Sequence, residues 1–536
     1  MEVGSQLLAA DLRRGDVCVI VLPSGQDAAT VLIATLLLGG IPLLVCPPAL
    51  VGGNLELRDT LRRVLRRTRA RVAVCLESLK PDLARLAGGA TAVLGLGTKT
   101  EGGGRQVVGT PRPQPDDIAM MQLTSGTTRS SRICVWNHKA VLAAVDGMAA
   151  AMGFSSADVC LNWTPLYHDM GLVNNFLLCL VKGIPLVMLS PQAFVRHPAL
   201  WLRALSDTGG TVTWSPNFGF ALAVRRADDI ELQGVRLDHV RALWNAAECI
   251  HIETLDAFHR RFGILGLKRD ALKTNFGCAE NVGGATFSAL NGTVQYEHVD
   301  RRLLDERGIA QRLGAASADR VATVASVGRP CEGTIVHVLS PRGRRVPDGH
   351  VGEICLDSPS RMACYYKNVN ETRRAFRGGL LHTGDVGYLR NGELFWTGRL
   401  RERITIRGKK IDPSAFENVL ASTPGLREGC FAAFGMPAED WGTERFVIVS
   451  EVRFPLALTH KDIAAALSRN CFLQLGVAPC DVVLVGPGTL AKTSSGKRRH
   501  RYFRKLYLAG GLEQARLRAD GSFAVSDGTS RSGAQL

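Results

Sequence analysis

The residues able to do chemistry begin with a hydroxyl-rich turn. Thr124, Ser125, Gly126, Thr127 and Thr128 follow Asp117 to Leu123, a segment that reads as a strand. A glycine that permits a tight turn, flanked by hydroxyls and backbone N–H groups, can hold phosphate oxygens. The same composition also makes an ordinary surface turn, so the loop alone does not decide between the two. Lys497, in the turn Ser495-Gly496-Lys497, opens a basic stretch that runs to Arg501. Such a stretch is ordinarily a solvated face, and a lone histidine such as His168 is more often structural than catalytic. The 14 cysteines are scattered singly. None has the C-x-x-C spacing of zinc ribbons or redox motifs, so they read as reduced, mostly buried thiols.

The scaffold for these residues is legible in outline. A chain of 536 residues with 46% hydrophobic and 21% charged side chains has the length for at least two domains and the composition of a soluble globular protein. Val17 to Leu22, Ile41 to Cys46 and Arg71 to Leu76 read as strands separated by helical patterns, which predicts an α/β architecture with largely parallel sheets. The longest apolar stretch, Val31 to Cys46, is interrupted by Gly39, Gly40 and Pro42. It falls short of the roughly 20 residues of a membrane span and reads as a core helix running into a buried strand. The start carries no secretory pattern, which points to the cytoplasm. Gly102 to Gly104 and Pro111 to Pro115 mark a surface connection.

From Thr334 the texture changes to short strands with turns at Pro341 to Gly343 and Pro347 to Gly349, consistent with hairpins or a small barrel. The expected organisation is therefore a large N-terminal domain over 1–398, with parallel-rich sheets flanked by helices and a distorted β-barrel subdomain at 333–398. A hinge at 399–403 and a small mobile α+β domain at 404–509 follow, and a polar tail at 510–536 is expected to be disordered. The net charge of +16 admits an anionic partner. Arg62, Arg63, Arg66, Arg67, Arg69 and Arg71, interleaved with Leu61, Val64 and Leu65, suit an amphipathic helix with a solvated basic face.

Several segments match one family in order and spacing: Leu123 to Cys134, Asn162 to Gly171, Asn245 to Glu248, Asn275 to Glu280, His382 to Gly387, Thr397 to Arg399 and Lys492 to Lys497. Through them the chain resembles the adenylate-forming superfamily of acyl-CoA synthetases, nonribosomal adenylation domains and fatty acyl-AMP ligases. The blocks span nearly the whole chain. Leu7 to Asp16 already matches the helix and turn that precede the family's first long core strand, so the resemblance starts partway into the family's N-terminal domain.

The resemblance implies an ATP-dependent ligase in which a carboxylate attacks the α-phosphate and pyrophosphate is expelled. Bringing two anions together makes positioning and charge neutralisation the main catalytic requirements. It implies Lys497 as the catalytic cation, a point charge on a flexible stem, and His168 beside the acyl carboxylate. Thr124 to Thr128, Arg132, Ala246, Ala247, Glu248, Asn275, Phe276 and Gly277 would surround ATP, with Phe276 where the family usually stacks a tyrosine on adenine. Asp385 would accept both ribose hydroxyls, as two oxygens on one carboxylate suit a vicinal diol, and Arg399 would contact the same nucleotide. Glu280 would hold Mg²⁺ through a hard oxygen, Glu402 would be the hinge, and Trp163, Phe176, Trp214 and Phe218 would line the acyl pocket. Aromatic residues there are equally expected of a plain core.

The wording Pro165 to Gly171, and Tyr296 to Leu304 within a long segment after Glu280, are closest to the fatty acyl-AMP ligases. These hand the acyl group to the phosphopantetheine arm of an acyl carrier protein, whose typical acidity suits a basic chain. The expected activity is thus activation of a medium- or long-chain fatty acid, with ATP and Mg²⁺ required, followed by transfer to a holo carrier protein. An acyl-CoA or aryl-CoA ligase is the alternative within the class. Arg129, where the family has glycine, motivates a second alternative, a catalytically weakened nucleotide- or acyl-binding relative. No nucleic-acid-binding module is recognised.

Overall fold

The computed structural model describes residues 2–47, 55–96, 112–124, 132–314, 321–400, 402–406, 409–437, 444–455, 458–492 and 498–517. Two seven-stranded sheets organise the larger part of them. The first runs in the order Cys364–Tyr365, Ile133–Asn137, Ile118–Leu123, Ile41–Leu44, Val17–Val21, Val72–Leu76, Ala92–Leu96. From Ile118–Leu123 to Ala92–Leu96 the neighbours are parallel, and the other two strands add antiparallel at the edge.

Local sequence explains this sheet. Successive strand side chains point to opposite faces, and a strand covered by helices on both sides must be apolar throughout. Val17, Val19 and Val21 pack with Leu61, Val64 and Leu65 of the helix Leu55–Thr68, whereas Cys18 and Ile20 pack with Ala28, Val31 and Leu32 of the helix Gln26–Leu37. The helix Leu55–Thr68 leaves Arg62, Arg63 and Arg66 exposed, the solvated basic face that its spacing predicts.

The second sheet runs Arg329–Pro330, Gly283–Phe287, Leu272–Cys278, Ala242–Ala246, Val212–Pro216, Cys160–Asn162, Leu186–Met188. Its five strands from Leu272–Cys278 to Leu186–Met188 are parallel. The helix His138–Ala151 packs against strands of both sheets, beside a buried π-helix, Met170–Leu177. Widened turns of this kind are rare and concentrate at functional sites. Among the described residues no helix is long and apolar enough to cross a membrane.

Residues 335–399 form an antiparallel sheet around the long strand Leu380–Arg390, which pairs with Gly352–Asp357, Phe376–Arg377 and Glu393–Arg399. The segment after Glu280 contributes a hairpin, Tyr296–Asp300 with Val321–Ala325. Its buried Glu297 accepts from Arg312 at 2.6 Å and from the Tyr388 hydroxyl at 3.0 Å, tying the hairpin to that sheet.

Beyond Glu402 the chain builds a separate three-stranded sheet, Leu426–Pro437, Glu444–Val452 and Asp481–Val485, with an apolar cluster on each face. Residues 510–517 correct the expectation of a disordered tail from 510. Leu512 and Leu517 are buried in these two clusters, and Arg516 bridges to Val485. Two apolar anchors outweigh the polar composition around them. Residues 518–536 lie outside the described residues.

Glu417 joins this part to the body. Its Oε2 lies 2.9 Å from His251 Nε2, and its Oε1 accepts from Arg498. Burial opposes charge on Glu417, yet Arg498 and His251 hold its carboxyl down to about 2, from an ordinary 4.5. A carboxyl lowered in the folded state stabilises fully above its ordinary value and loses that contribution as pH falls through the folded one. Glu417→Gln should therefore cost about 3 kcal/mol near neutral pH. Urea denaturation across pH should show the gap from wild type closing below pH 4.5.

Candidate active site

Where the C-terminal ends of Ala242–Ala246 and Leu272–Cys278 meet Leu380–Arg390 and Glu393–Arg399, a cavity of about 310 Å³ opens. Crevices at the carboxyl ends of parallel strands are the usual ligand sites of such sheets. Ala247, Glu248, Asn275, Phe276, Gly277, Asp385 and Arg399 all line it. The register places Asp385 directly across from Arg399. Asp385 is only 2% exposed. Its Oδ1 lies 3.1 Å from Arg399 Nε and accepts from Trp396 Nε1 at 3.1 Å. The carboxylate in turn raises Arg399 further and keeps it charged against burial.

Arg399 is fixed from behind as well. Its backbone N–H donates to Asp412 Oδ2 at 3.1 Å, although burial pushes the Asp412 carboxyl up. Asp412 can come this close because Gly398, at φ +142°, has no Cβ where the carboxylate sits. The strand Leu272–Cys278 is tethered by Lys273, whose Nζ donates to the carbonyls of Ala289, Leu290 and Gly292 at 2.7, 2.6 and 2.9 Å. A register shift between Phe276 and Gly277 bends the strand at the cavity wall, as bulges beside active sites do.

A smaller polar niche of about 50 Å³ adjoins the cavity and shares Ala247, Asn275, Gly277 and Arg399 with it. Thr124, Arg132, His168, Ala246 and Glu280 line the niche. Thr124 and Arg132 are joined to each other: Thr124 N–H donates to Arg132 O at 2.8 Å, and Arg132 N–H to Thr124 Oγ1 at 3.2 Å. His168 precedes the π-helix. The turn before it is locked by Asn162, whose Oδ1 accepts from Thr164 N–H at 2.8 Å and whose Nδ2 donates to Thr164 O at 3.0 Å. His168 Nδ1 accepts from Met170 N–H at 3.2 Å, leaving Nε2 buried without a protein partner. Asn174 Oδ1 and Asn275 Oδ1, on the same walls, are also unpartnered.

Glu280 sits on the short turn Ala279–Asn281 that ends the strand Leu272–Cys278. Its Oε1 accepts from the Tyr365 hydroxyl at 2.5 Å and from Arg132 at 3.3 Å. Mg²⁺ takes one or two carboxylates and keeps the rest of its shell for phosphates and water. A single carboxylate on the wall of a polar niche fits that requirement.

The structure thus collects Thr124, Arg132, His168, Ala246, Ala247, Glu248, Asn275, Phe276, Gly277, Glu280, Asp385 and Arg399 around two adjoining spaces. Glu248 Oε1 also accepts from Phe218 N–H at 2.6 Å. Glu402 N–H donates to Arg399 O at 3.1 Å, forming a turn directly after the site. Ser125, Gly126, Thr127, Thr128, Arg129 and Lys497 lie outside the described residues.

The four expected acyl-pocket residues do not form one wall. Trp163 stacks on Phe194 at 3.8 Å and meets Phe218 edge-on at 5.9 Å. Trp214 instead stacks on Trp244 at 6.1 Å. Strand alternation is the reason: Thr213 faces the helices, accepting from Trp201 Nε1 at 3.1 Å, so Trp214 points to the opposite face. Phe176 lies in the π-helix. Phe218 borders a cleft of about 670 Å³ that adjoins the cavity at Glu248, His251 and Glu253, and its arginines Arg225, Arg427 and Arg498 are paired with Glu428, Glu451 and Glu417.

Sequence reasoning missed Trp396, Asp412, Tyr365 and Glu371, together with Arg301 and Leu304 of the hairpin segment, which line the larger cavity. Of these, Arg301 and Leu304 lie in the Tyr296 to Leu304 stretch that carried the resemblance, while the other four carried no signal. The cluster Glu353, Cys355 and His382 already holds a cation. The Arg377 guanidinium lies 3.0 Å from Glu353 Oε2 and 2.7 Å from His382 Nδ1, bracing the strand that carries Asp385.

Gly398→Ala should lose about 1–3 kcal/mol of stability, since it combines a disfavoured φ with a clash on Asp412. Urea denaturation measures the loss. Asp412→Ala in the same background should recover part of it by removing the clash.

The family model for AMP-binding enzymes matches residues 1–366. The 4-hydroxyphenylalkanoate adenylyltransferase of Mycobacterium tuberculosis is 31% identical over 407 residues, covering 71% of this chain and 64% of that protein, under two thirds of its length. The medium-chain-fatty-acid–acyl-carrier-protein ligase JamA of Moorena producens is 30% identical over 416 residues, 75% of this chain and 70% of that protein. A structure solved in work on fatty acyl-adenylate ligases from E. coli and L. pneumophila superposes with a TM-score of 0.85 at 26% identity, covering 95% of this chain and 91% of the other.

Proposed function

The chain belongs to the AMP-binding enzyme family, and from that premise we propose that it activates a medium- or long-chain fatty acid as its acyl adenylate and passes the acyl group to the phosphopantetheine thiol of an acyl carrier protein. One observation carries the reading. A nucleoside-sized cavity ending on buried Asp385 and its half-buried partner Arg399 opens into a polar niche that holds Glu280, Arg132 and His168. The similarity to a medium-chain-fatty-acid–acyl-carrier-protein ligase supports both the acid and the acceptor.

In the first step a carboxylate oxygen attacks the α-phosphorus, the bond to the bridging oxygen breaks, and pyrophosphate leaves. Phe276 lies against the adenine and Asp385 accepts the ribose hydroxyls. Arg399 pairs with Asp385 at 3.1 Å and approaches the same nucleotide. Arg132 and the hydroxyls of Thr124 to Thr128 face the phosphates, and His168 turns its unpartnered Nε2 to the incoming carboxylate. Glu280 would hold Mg²⁺, which supplies neutralisation of phosphate charge. Lys497 brings the remaining cation between the two anions. In the second step the thiolate attacks the acyl carbonyl carbon and AMP departs, after rotation about Glu402 has withdrawn Lys497. The cleft beside Phe218 adjoins the cavity at Glu248, His251 and Glu253, which suits the approach of the thiol arm. A reaction that needs ATP and reduced thiols belongs in the cytoplasm, and the chain's free cysteines agree with that.

Pyrophosphate exchange into ATP should require a medium- or long-chain acid and fall by about 10²–10³-fold or more in Lys497→Ala. Exchange that persists in that variant would remove Lys497 from its role. A purified carrier protein in its phosphopantetheine form should be acylated, and rapid acyl transfer to free coenzyme A instead would turn the assignment to an acyl-CoA ligase.

A further inference from the structure

Arg132 occupies an unusual position for a residue that faces phosphates. Its Nη2 lies 3.3 Å from Glu280 Oε1 and its Nη1 3.4 Å from Glu371 Oε2. Both separations exceed the ~2.7–2.9 Å of a tight charged hydrogen bond. What holds the guanidinium is the face of Tyr365, whose ring centre is 4.4 Å from Arg132 Cζ. A cation stacked on a ring can slide without losing that contact, because the attraction is to the face as a whole.

Tyr365 has a second contact, and it is the short one. Its hydroxyl donates to Glu280 Oε1 at 2.5 Å. The ring is 3% exposed, set by strand pairing opposite Cys134 and by its own N–H donating to Thr372 Oγ1 at 3.0 Å. Glu371 is equally constrained: its N–H donates to the capping Asn368 Oδ1 at 3.2 Å, and its Oε1 accepts from Arg374 at 2.5 Å. Two fixed side chains thus flank one loosely shared cation and one carboxylate.

We propose that Tyr365 and Glu371 are positioning residues for metal entry: Tyr365 fixes the orientation of the Glu280 carboxylate, and Glu371 draws the Arg132 guanidinium off it. The Glu280 carboxylate, already aimed, would then be ready to hold Mg²⁺, and Arg132 would be free to move along the Tyr365 ring towards phosphate. The inference rests on the reading of Glu280 as the Mg²⁺ residue. Without Glu371 the guanidinium would settle on Glu280 and compete with the metal. Without the Tyr365 hydroxyl the carboxylate would turn towards Arg132, with the same consequence.

The test is calorimetric binding of α,β-methylene-ATP at graded Mg²⁺ concentrations to wild type, Tyr365→Phe, Glu371→Gln and the double variant. Both substitutions keep the shape of the side chain. Each single change should raise the Mg²⁺ concentration for half-maximal nucleotide binding by about tenfold, the size of one lost hydrogen bond to a charged group. The double variant should rise by less than the product of the two, because the residues act on one pair. Unchanged midpoints in both single variants overturn the inference, and so does a fall in melting temperature with no shift in midpoint. Should wild-type binding ignore Mg²⁺ altogether, the reading of Glu280 itself fails, and this inference falls with it.

Discussion

A carboxylate that is charged and yet almost wholly buried is the constraint on which the site depends. Asp385 loses most of its hydration at 2% exposure, and an isolated charge in that position would neutralise instead. Arg399, at 3.1 Å, and the Trp396 indole, also at 3.1 Å, offset that cost. Removing one partner of such a pair typically costs ~3–5 kcal/mol, because the other charge is stranded. The strand pairing Leu380–Arg390 with Glu393–Arg399 fixes both residues opposite each other, so the pair is set by backbone register and not by side-chain search.

The same residue carries the link to the rest of the molecule. Arg399 is the last residue of its strand, and its N–H is held by Asp412, which follows the strand Lys409–Ile411. Asp412 fits only because Gly398 lacks a Cβ. The floor of the cavity and the start of the C-terminal part are therefore one hydrogen-bonded unit. Glu417, between His251 and Arg498, closes the other side of the junction. Any change in orientation of the C-terminal part about Glu402 would have to break both the Glu417–His251 contact and the Asp412 bond to Arg399 N–H.

How much of this was legible in the sequence follows from what each residue touches. Asp385, Glu280, Arg399, Asn275 and His168 stood out because they lie in blocks whose wording suits contact with a nucleotide or a carboxylate, and they do converge. The unbroken burial of Val17 to Val21 was equally readable, since helices on both faces demand apolar residues throughout. Tyr365, Glu371, Trp396 and Asp412 act through another side chain, and neither spacing nor residue type reports which partner a fold will supply. The acyl wall was the least legible. Trp163 and Trp214 are large, apolar and buried in either role, and only strand alternation reveals that Trp214 faces away from Trp163. The segment 510–517 was misjudged because composition counts Gly and Ser, whereas packing is decided by Leu512 and Leu517.

The most direct test of the account asks whether Asp385 reads the ribose. Binding of ATP and of 2′,3′-dideoxy-ATP to the wild-type protein should differ by about a hundredfold, as expected for two lost hydrogen bonds to one carboxylate. Most of that difference should vanish in Asp385→Asn. Equal affinity of the wild-type protein for the two nucleotides would contradict the assignment of the cavity, and with it the orientation of every group placed around the α-phosphate.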